Sequence, residues 1–193
     1  MAASDTNPQS ISDRVAAFIT DLNLADAPPE ITGVAETAFV DTVGVMLAGS
    51  CEPAAQLVCE MIDAEGAAPA VSIVGRALRT SPQNAALANG TATQALDFDL
   101  SFMSGQSAAA IIPALLPLAE HLDATAEDVI AAYIVGCEVC ARVVRSFPTL
   151  SSEGGWHGAG IVGGIASAAA CASKSWESEH PAPTQAGMPR YPK

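Results

Sequence analysis

NGTATQALDFDLSFMSGQSAAAIIPALLPLAE, residues 89–120, is the stretch on which the fold turns. It sets two acids, Asp97 and Asp99, one residue apart, follows them with a loop rich in Ser and Gly, and then runs almost without polar residues from Ala108. Ile111, Ile112, Leu115, Leu116 and Ala119 recur at helical spacing, which predicts a buried helix from about Ala108 to Leu122. An acidic pair leading through a polar loop into a buried helix places chemistry on a rigid scaffold.

Upstream, Ser81-Pro82 is a helix start, a hydroxyl cap followed by proline in the first turn, for a helix carrying Ala85 through Leu96. Asp97 and Asp99 then lie at or just beyond its C-terminal end. Acids there oppose the helix dipole at a cost of about 0.3–1 kcal/mol, which hints at a use elsewhere. An Asx cap of the following turn explains one of them equally well, and the residues alone leave both open.

Farther out the pattern stays helical. Ser10 and Asp13 resemble a capping box for a helix over about 11–22. Pro28-Pro29 opens a second, with Ile31, Val34, Ala35, Ala38, Phe39, Thr42, Val45 and Met46 on one face and Gly49 as its stop. A third starts at Pro53 with Leu57, Val58, Met61 and Ile62 inward. Val71, Ile73 and Val74 are β-branched between Pro69 and Gly75, which predicts at most one short strand near 71–74. Thr125-Ala126-Glu127-Asp128 caps a long helix ended by Pro148. Gly154-Gly155-Trp156-His157-Gly158 precedes a last Ala/Gly-rich helix to about Lys174. The expectation is an all-α, multi-helix domain over residues 1–174, with 175–193 as an irregular tail.

Composition bounds the function. Half of the 193 residues are hydrophobic and only 5% aromatic, so a sizeable core forms from small side chains that let helices approach closely. A formal net charge of −13, from 21 acids and 8 scattered bases, gives no electrostatic drive toward phosphate backbones. Nucleic acid and anionic membrane are therefore not expected partners. The polar Met1 to Ser12 is no signal peptide, and the longest apolar runs, 108–119 and 158–172, fall short of the ~20 residues that span a bilayer. An odd set of five cysteines in apolar surroundings reads as reduced thiols, hence a cytoplasmic location.

Two further motifs could carry chemistry. Cys137-Glu138-Val139-Cys140 is formally CxxC, but it sits mid-helix without the second pair that zinc needs or the βαβ setting of a redox pair, so packing is its expected role. His121 reads as a solvated surface residue. His157 lies among glycines at the mouth of a helix, where backbone amides bind anions and an imidazole can bond a carboxylate or move a proton. It can equally cap the helix or fill space beside Trp156.

Four segments in order carry a resemblance: Ala86-Leu87-Ala88-Asn89-Gly90 with Ala95-Leu96-Asp97-Phe98-Asp99; Ile112-Pro113-Ala114-Leu115-Leu116 with Leu118-Ala119-Glu120; Ala132-Tyr133-Ile134-Val135-Gly136-Cys137-Glu138-Val139; and Gly155-Trp156-His157-Gly158. Over roughly residues 12–174 the chain resembles the MmgE/PrpD family, which includes 2-methylcitrate dehydratase, cis-aconitate decarboxylase and iminodisuccinate epimerase.

The resemblance implies a helical domain that normally pairs with an α+β domain, in a homodimer that needs no metal or other cofactor. It implies lyase or isomerase chemistry on a small polycarboxylate, 2-methylcitrate dehydratase-like, by proton removal next to a carboxylate. Asp97, His157 and Gln106 are then the candidate catalytic residues, and Ser101, Gln94 and Asp99 the candidate substrate-binding ones.

Asp97 and Asp99 match the first and third positions of a DFDD-like motif whose last acid is Leu100 here. Ser101 stands where a small polar residue often sits, and His157 matches the histidine of the GWH motif. Gln94 and Gln106 stand where the family usually has histidines, and glutamine cannot exchange a proton near neutral pH. The family's substrate lysines lie mostly beyond residue 193, which leaves Arg76, Arg79, Arg142 and Arg145 as the cations at hand. A truncated or diverged, non-catalytic helical interaction module is the alternative.

Overall fold

The computed structural model describes residues 11–21, 25, 27–101, 106–147, 155 and 157–173. The expected tail, Lys174, His180, Trp156 and the ends of the first and long helices at Leu22 and Pro148 lie outside the described residues. Among the described residues seven helices and two short strands follow in order: α1 Ile11–Asp21, α2 Pro29–Gly49, α3 Pro53–Glu65, β1 Val71–Ser72, β2 Arg79–Thr80, α4 Pro82–Gln94, α5 Ser107–Leu122, α6 Ala126–Ser146 and α7 Gly158–Cys171. The domain is all-α in class.

Local chemistry sets most boundaries. Ser81 Oγ accepts from the Asn84 amide at 3.3 Å with Pro82 next, and Thr125 and Asp128 form a reciprocal capping box, each cap contributing about 1 kcal/mol. Proline also opens α2 and α3. Gly66 ends α3 in the left-handed region (φ 65), where lack of a Cβ removes the steric cost.

Helix α5 is the hub, packed on α2, α4, α6 and α7. Ile111, Ile112 and Leu115 are fully buried on it, each contributing about 1.5–3 kcal/mol. That burial tolerates Pro113 and Pro117 inside the helix, although each removes a backbone hydrogen bond. Small residues set the spacing: a Cβ on Gly163 would stand 2.7 Å from Ala110 Cβ, and one on Gly49 only 2.0 Å from the Ala92 carbonyl oxygen. A second cluster joins Ile62 of α3, Val71 and Ile73, and Ala85 and Ala88 of α4.

Three expectations need correction. The connector holds two strand pieces, not at most one: β1 pairs antiparallel with β2, Val71 opposite Thr80. The hairpin closes because Gly75 (φ 73) turns it and distant side chains fasten it. Leu57 (66% exposed) and Met61 (47%) of α3 face outward, as do Ile31 and Val34 of α2, because no described helix covers those stripes. Finally, α2 with its 21 residues is long and apolar enough to cross a membrane by length and composition, with 28% of that window buried; a mostly buried core helix of a soluble protein and a signal sequence meet the same test.

Candidate functional site

The turn that follows α4 is strained. Asp97 adopts φ 53, a left-handed conformation that costs a non-glycine residue about 1–2 kcal/mol and that Asp tolerates better than most. Its amide donates to the Gln94 carbonyl at 3.3 Å, closing the turn. The side chain is exposed, and Gln106 Nε2 donates to Asp97 Oδ1 at 2.8 Å. The two ends of the loop are thus joined by one side-chain bond.

Two residues on, Asp99 is 8% exposed. Gln94 Nε2 reaches its Oδ2 at a long 3.4 Å, while Oδ1 is buried without a partner. Burial pushes the Asp99 carboxyl above the usual range, against its own backbone amide and Gln94, and the negative charges of Asp97 and Asp41 push the same way. Asp41, on α2, also has one carboxylate oxygen buried and unpartnered. Sequence reading missed it, because nothing in the pattern of α2 singles out one acid 58 positions before Asp99.

Ser101 is exposed and lines a groove of about 620 Å³ together with Ser107, the first residue of α5. His157 is the N-cap of α7, its Nδ1 accepting from the Gly160 amide at 3.3 Å. Of the two roles open from sequence, the cap is therefore realised in the fold. With Nδ1 accepting, Nε2 is the ring nitrogen left to face a ligand. Ser107 shares a cavity of about 10 Å³ with Gly158 and Ala159, so the N-termini of α5 and α7 meet. Both helices present positive dipole ends on this side, while the void itself admits no more than a water.

The structure joins Asp97 to Gln106 and Asp99 to Gln94, with Ser101 on the same loop as the acids, while no hydrogen bond ties His157 to any of them. The nearby cations are engaged elsewhere. Arg79 pairs with Glu120 at 2.9 Å, Arg76 donates to the Ser50 carbonyl, and Arg142 pairs with Glu138 at 3.4 Å and covers the Phe18 ring.

Cys137 and Cys140 stand mid-helix in α6 as free thiols. Burial pushes the Cys137 thiol up to about 11 and Cys140 upward too, which suits packing and not redox exchange. Among the described residues no group of three or more His, Cys, Asp or Glu is disposed to hold a metal ion.

Comparison with known proteins gives the family. Residues 13–175 match the profile of the MmgE/PrpD N-terminal domain. The chain belongs to the MmgE/PrpD family. It is 29% identical over 182 residues to the cis-aconitate decarboxylase-like protein oryM of Aspergillus oryzae (strain ATCC 42149 / RIB 40), covering 88% of this chain and 38% of that protein. The chain thus spans well under half the length of this curated relative.

Within the MmgE/PrpD motifs, several residues serve packing. Asn89 Oδ1 accepts from the Val74 amide at 3.0 Å, Glu120 fastens the hairpin, and Gly136 lets α7 come within 3.0 Å of where a Cβ would stand. Asp97 and Gln106 are left facing solvent or half-buried beside the helix starts.

Proposed function

We propose that this MmgE/PrpD domain forms one wall of a site for a small polycarboxylate and takes part in lyase or isomerase chemistry, 2-methylcitrate dehydratase-like, begun by proton removal next to a carboxylate. The observation that carries the proposal is the Asp97–Gln106 pair at 2.8 Å leading directly into the α5 N-terminus. Asp97 is held in an exposed, strained turn where its carboxylate can accept a proton or a substrate hydroxyl. Gln106 orients it. Amides at the starts of α5 and α7 take a substrate carboxylate, Ser101 and Gln94 add polar contacts, and His157 offers Nε2. Asp99, buried and with a raised pKa, supports the wall and holds a proton more readily than an ordinary aspartate.

With Arg76, Arg79 and Arg142 engaged elsewhere, the charges of a polycarboxylate call for further cations, and a partner domain or the second subunit of a homodimer would bring them. Turnover of 2-methylcitrate, citrate and cis-aconitate by the chain, with Asp97→Asn and His157→Ala as controls, tests the proposal. Activity abolished by Asp97→Asn is expected. Equal turnover by the Asp97→Asn variant would remove Asp97 from the mechanism.

A second reading, a non-catalytic interaction module, is favoured by Val40 and Leu47, which are 77% and 51% exposed seven residues apart on one face of α2. Exposed apolar surface of this kind drives association. Sedimentation decides it: a monomer at all concentrations counts against a self-association module.

A further inference from the structure

Two buried acid oxygens on different elements lack a partner: Asp41 Oδ2 on α2 and Asp99 Oδ1 in the turn after α4. Packing brings the two stretches together. A Cβ on Gly49, at the end of α2, would stand 3.4 Å from Ala95 Cβ. Farther along, Leu100 and Ser101 line one groove with Val34 and Ala38 of α2. The chain over 95–101 therefore runs back along α2, from Gly49 toward Ala38, and passes Asp41 on the way.

An ionised carboxylate needs donors when it leaves water. Asp99, 8% exposed, receives its own backbone amide and the long 3.4 Å bond from Gln94 of α4. The charges that bear on it are Asp97, from its own turn, and Asp41, from α2, both of them acids. Beyond Leu100 and Ser101 the groove is lined by Glu30, Tyr133, Cys137 and Glu138, and none of these is a cation. A negative charge on Asp99 thus has nothing to offset it. A protonated carboxyl brings its own donor, and the orphaned oxygen of Asp41 is an acceptor. One proton satisfies both oxygens, as it does wherever two neighbouring acids cannot both ionise.

We propose that Asp99 keeps a proton and donates it to Asp41 Oδ2, a carboxyl–carboxylate bond that clamps the acidic turn onto α2. The bond fixes the backbone just after Asp97, whose carboxylate Gln106 holds from the other side. For the chemistry proposed above, Asp41 is a positioning residue that acts on Asp97 through Asp99. The held proton also removes one negative charge from the wall that a polycarboxylate would meet. The bond itself does not rest on that chemistry and is read without substrate, so its failure leaves the proposed function standing. Burial, with the two acids, raises the folded pKa of Asp99. The clamp is therefore fully present below the unfolded pKa and is lost as pH rises through the folded one.

Carbon-13 NMR of the aspartate carboxyls in the 193-residue chain, followed from acid to alkaline pH, tests the bond. Asp99 should titrate above the exposed aspartates. Asp41→Asn should lower its proton affinity about tenfold or more, because the new amide donates to the ionised form. Asp41→Ala, which removes the charge without supplying a donor, should lower it less. Amide exchange gives a second readout through the Asp97 amide, bonded to the Gln94 carbonyl at 3.3 Å. Its protection should fall in the wild type as Asp99 loses its proton, and persist in Asp99→Asn, whose side-chain amide is a permanent donor.

An Asp99 midpoint among those of the exposed aspartates in the wild type overturns the held proton, whether or not any variant folds. Equal shifts in Asp41→Asn and Asp41→Ala mean a charge felt through space and overturn the bond. Asp97 protection that follows the same pH course in the wild type and in Asp99→Asn overturns the clamp.

Discussion

The two ends of the stretch 89–120 and its middle handle polar groups in opposite ways. At the ends, Asn89 and Glu120 reach across to the hairpin and are satisfied there. Asn89 accepts from Val74 at 3.0 Å, and Glu120 takes the Ser72 amide at 2.8 Å, the Ser72 hydroxyl at 3.0 Å and Arg79 at 2.9 Å. In the middle, Asp97 sits in a strained turn and Asp99 is buried with one oxygen unpartnered. Polar residues that hold the fold have their partners built in, whereas the turn carries strain and unmet bonds that a ligand could use.

The largest test of this contrast is Asn89→Ala. It leaves the Val74 amide without its acceptor next to a 1% exposed position, and should destabilise the chain by about 2–3 kcal/mol in urea unfolding. A loss below about 0.5 kcal/mol would mean that water replaces the bond and that the clasp is not structural.

Asp99→Asn should do the reverse, raising stability near neutral pH by about 1 kcal/mol, since it removes a buried charge with an unmet oxygen.

The two carboxylates also titrate in opposite senses. Burial dominates at Asp99 and raises its folded pKa. Its contribution to stability is therefore fully present below the unfolded pKa and is lost as pH rises through the folded one. At Glu120 burial works upward too, but the bonds from Ser72 and Arg79 outweigh it and the folded pKa is lowered. Its contribution is present above the unfolded pKa and is lost as pH falls through the folded one. Melting temperature measured from pH 3 to 7 should show Glu120→Gln flattening the acid-side loss and Asp99→Asn removing a compensating gain. The same profile in both variants would break the comparison.

The smallest expected effect is Asp97→Asn. An exposed acid with a single side-chain partner should change stability by less than about 0.5 kcal/mol, so any loss of turnover in that variant reports on chemistry and not on folding.

Much of this fold was legible residue by residue. Ser81-Pro82 and Thr125 with Asp128 mark helix starts because capping is a bond between neighbours three positions apart, and the all-α class followed from those starts and the helical apolar spacing. The outward faces of Leu57, Met61, Ile31 and Val34 were not legible, since periodicity says that a stripe is apolar but not whether another element covers it. The second strand was missed for a related reason. Arg79 and Thr80 have no strand pattern of their own and pair only because Ile73 and Leu78 bring the chain back on itself.

For the candidate site, the sequence and its family resemblance singled out Asp97, Asp99, Gln94, Gln106, Ser101 and His157 as candidates. It could not pair Gln106 with Asp97 or Gln94 with Asp99, and it left the cap and the ligand role of His157 open.

By itself, then, the sequence determined what depends on contacts a few residues apart, above all the helix ends set by their caps. Only the tertiary structure decided what depends on distant segments. Glu120 holds Ser72 from 48 positions away, Asp41 bears on Asp99 from another helix, and the starts of α5 and α7 meet at one cavity. The reason is physical. A hydrogen bond within a turn is fixed by local backbone geometry, whereas burial, the electric field at a carboxylate and the meeting of two helix ends exist only once α2, α4, α5, α6 and α7 have packed.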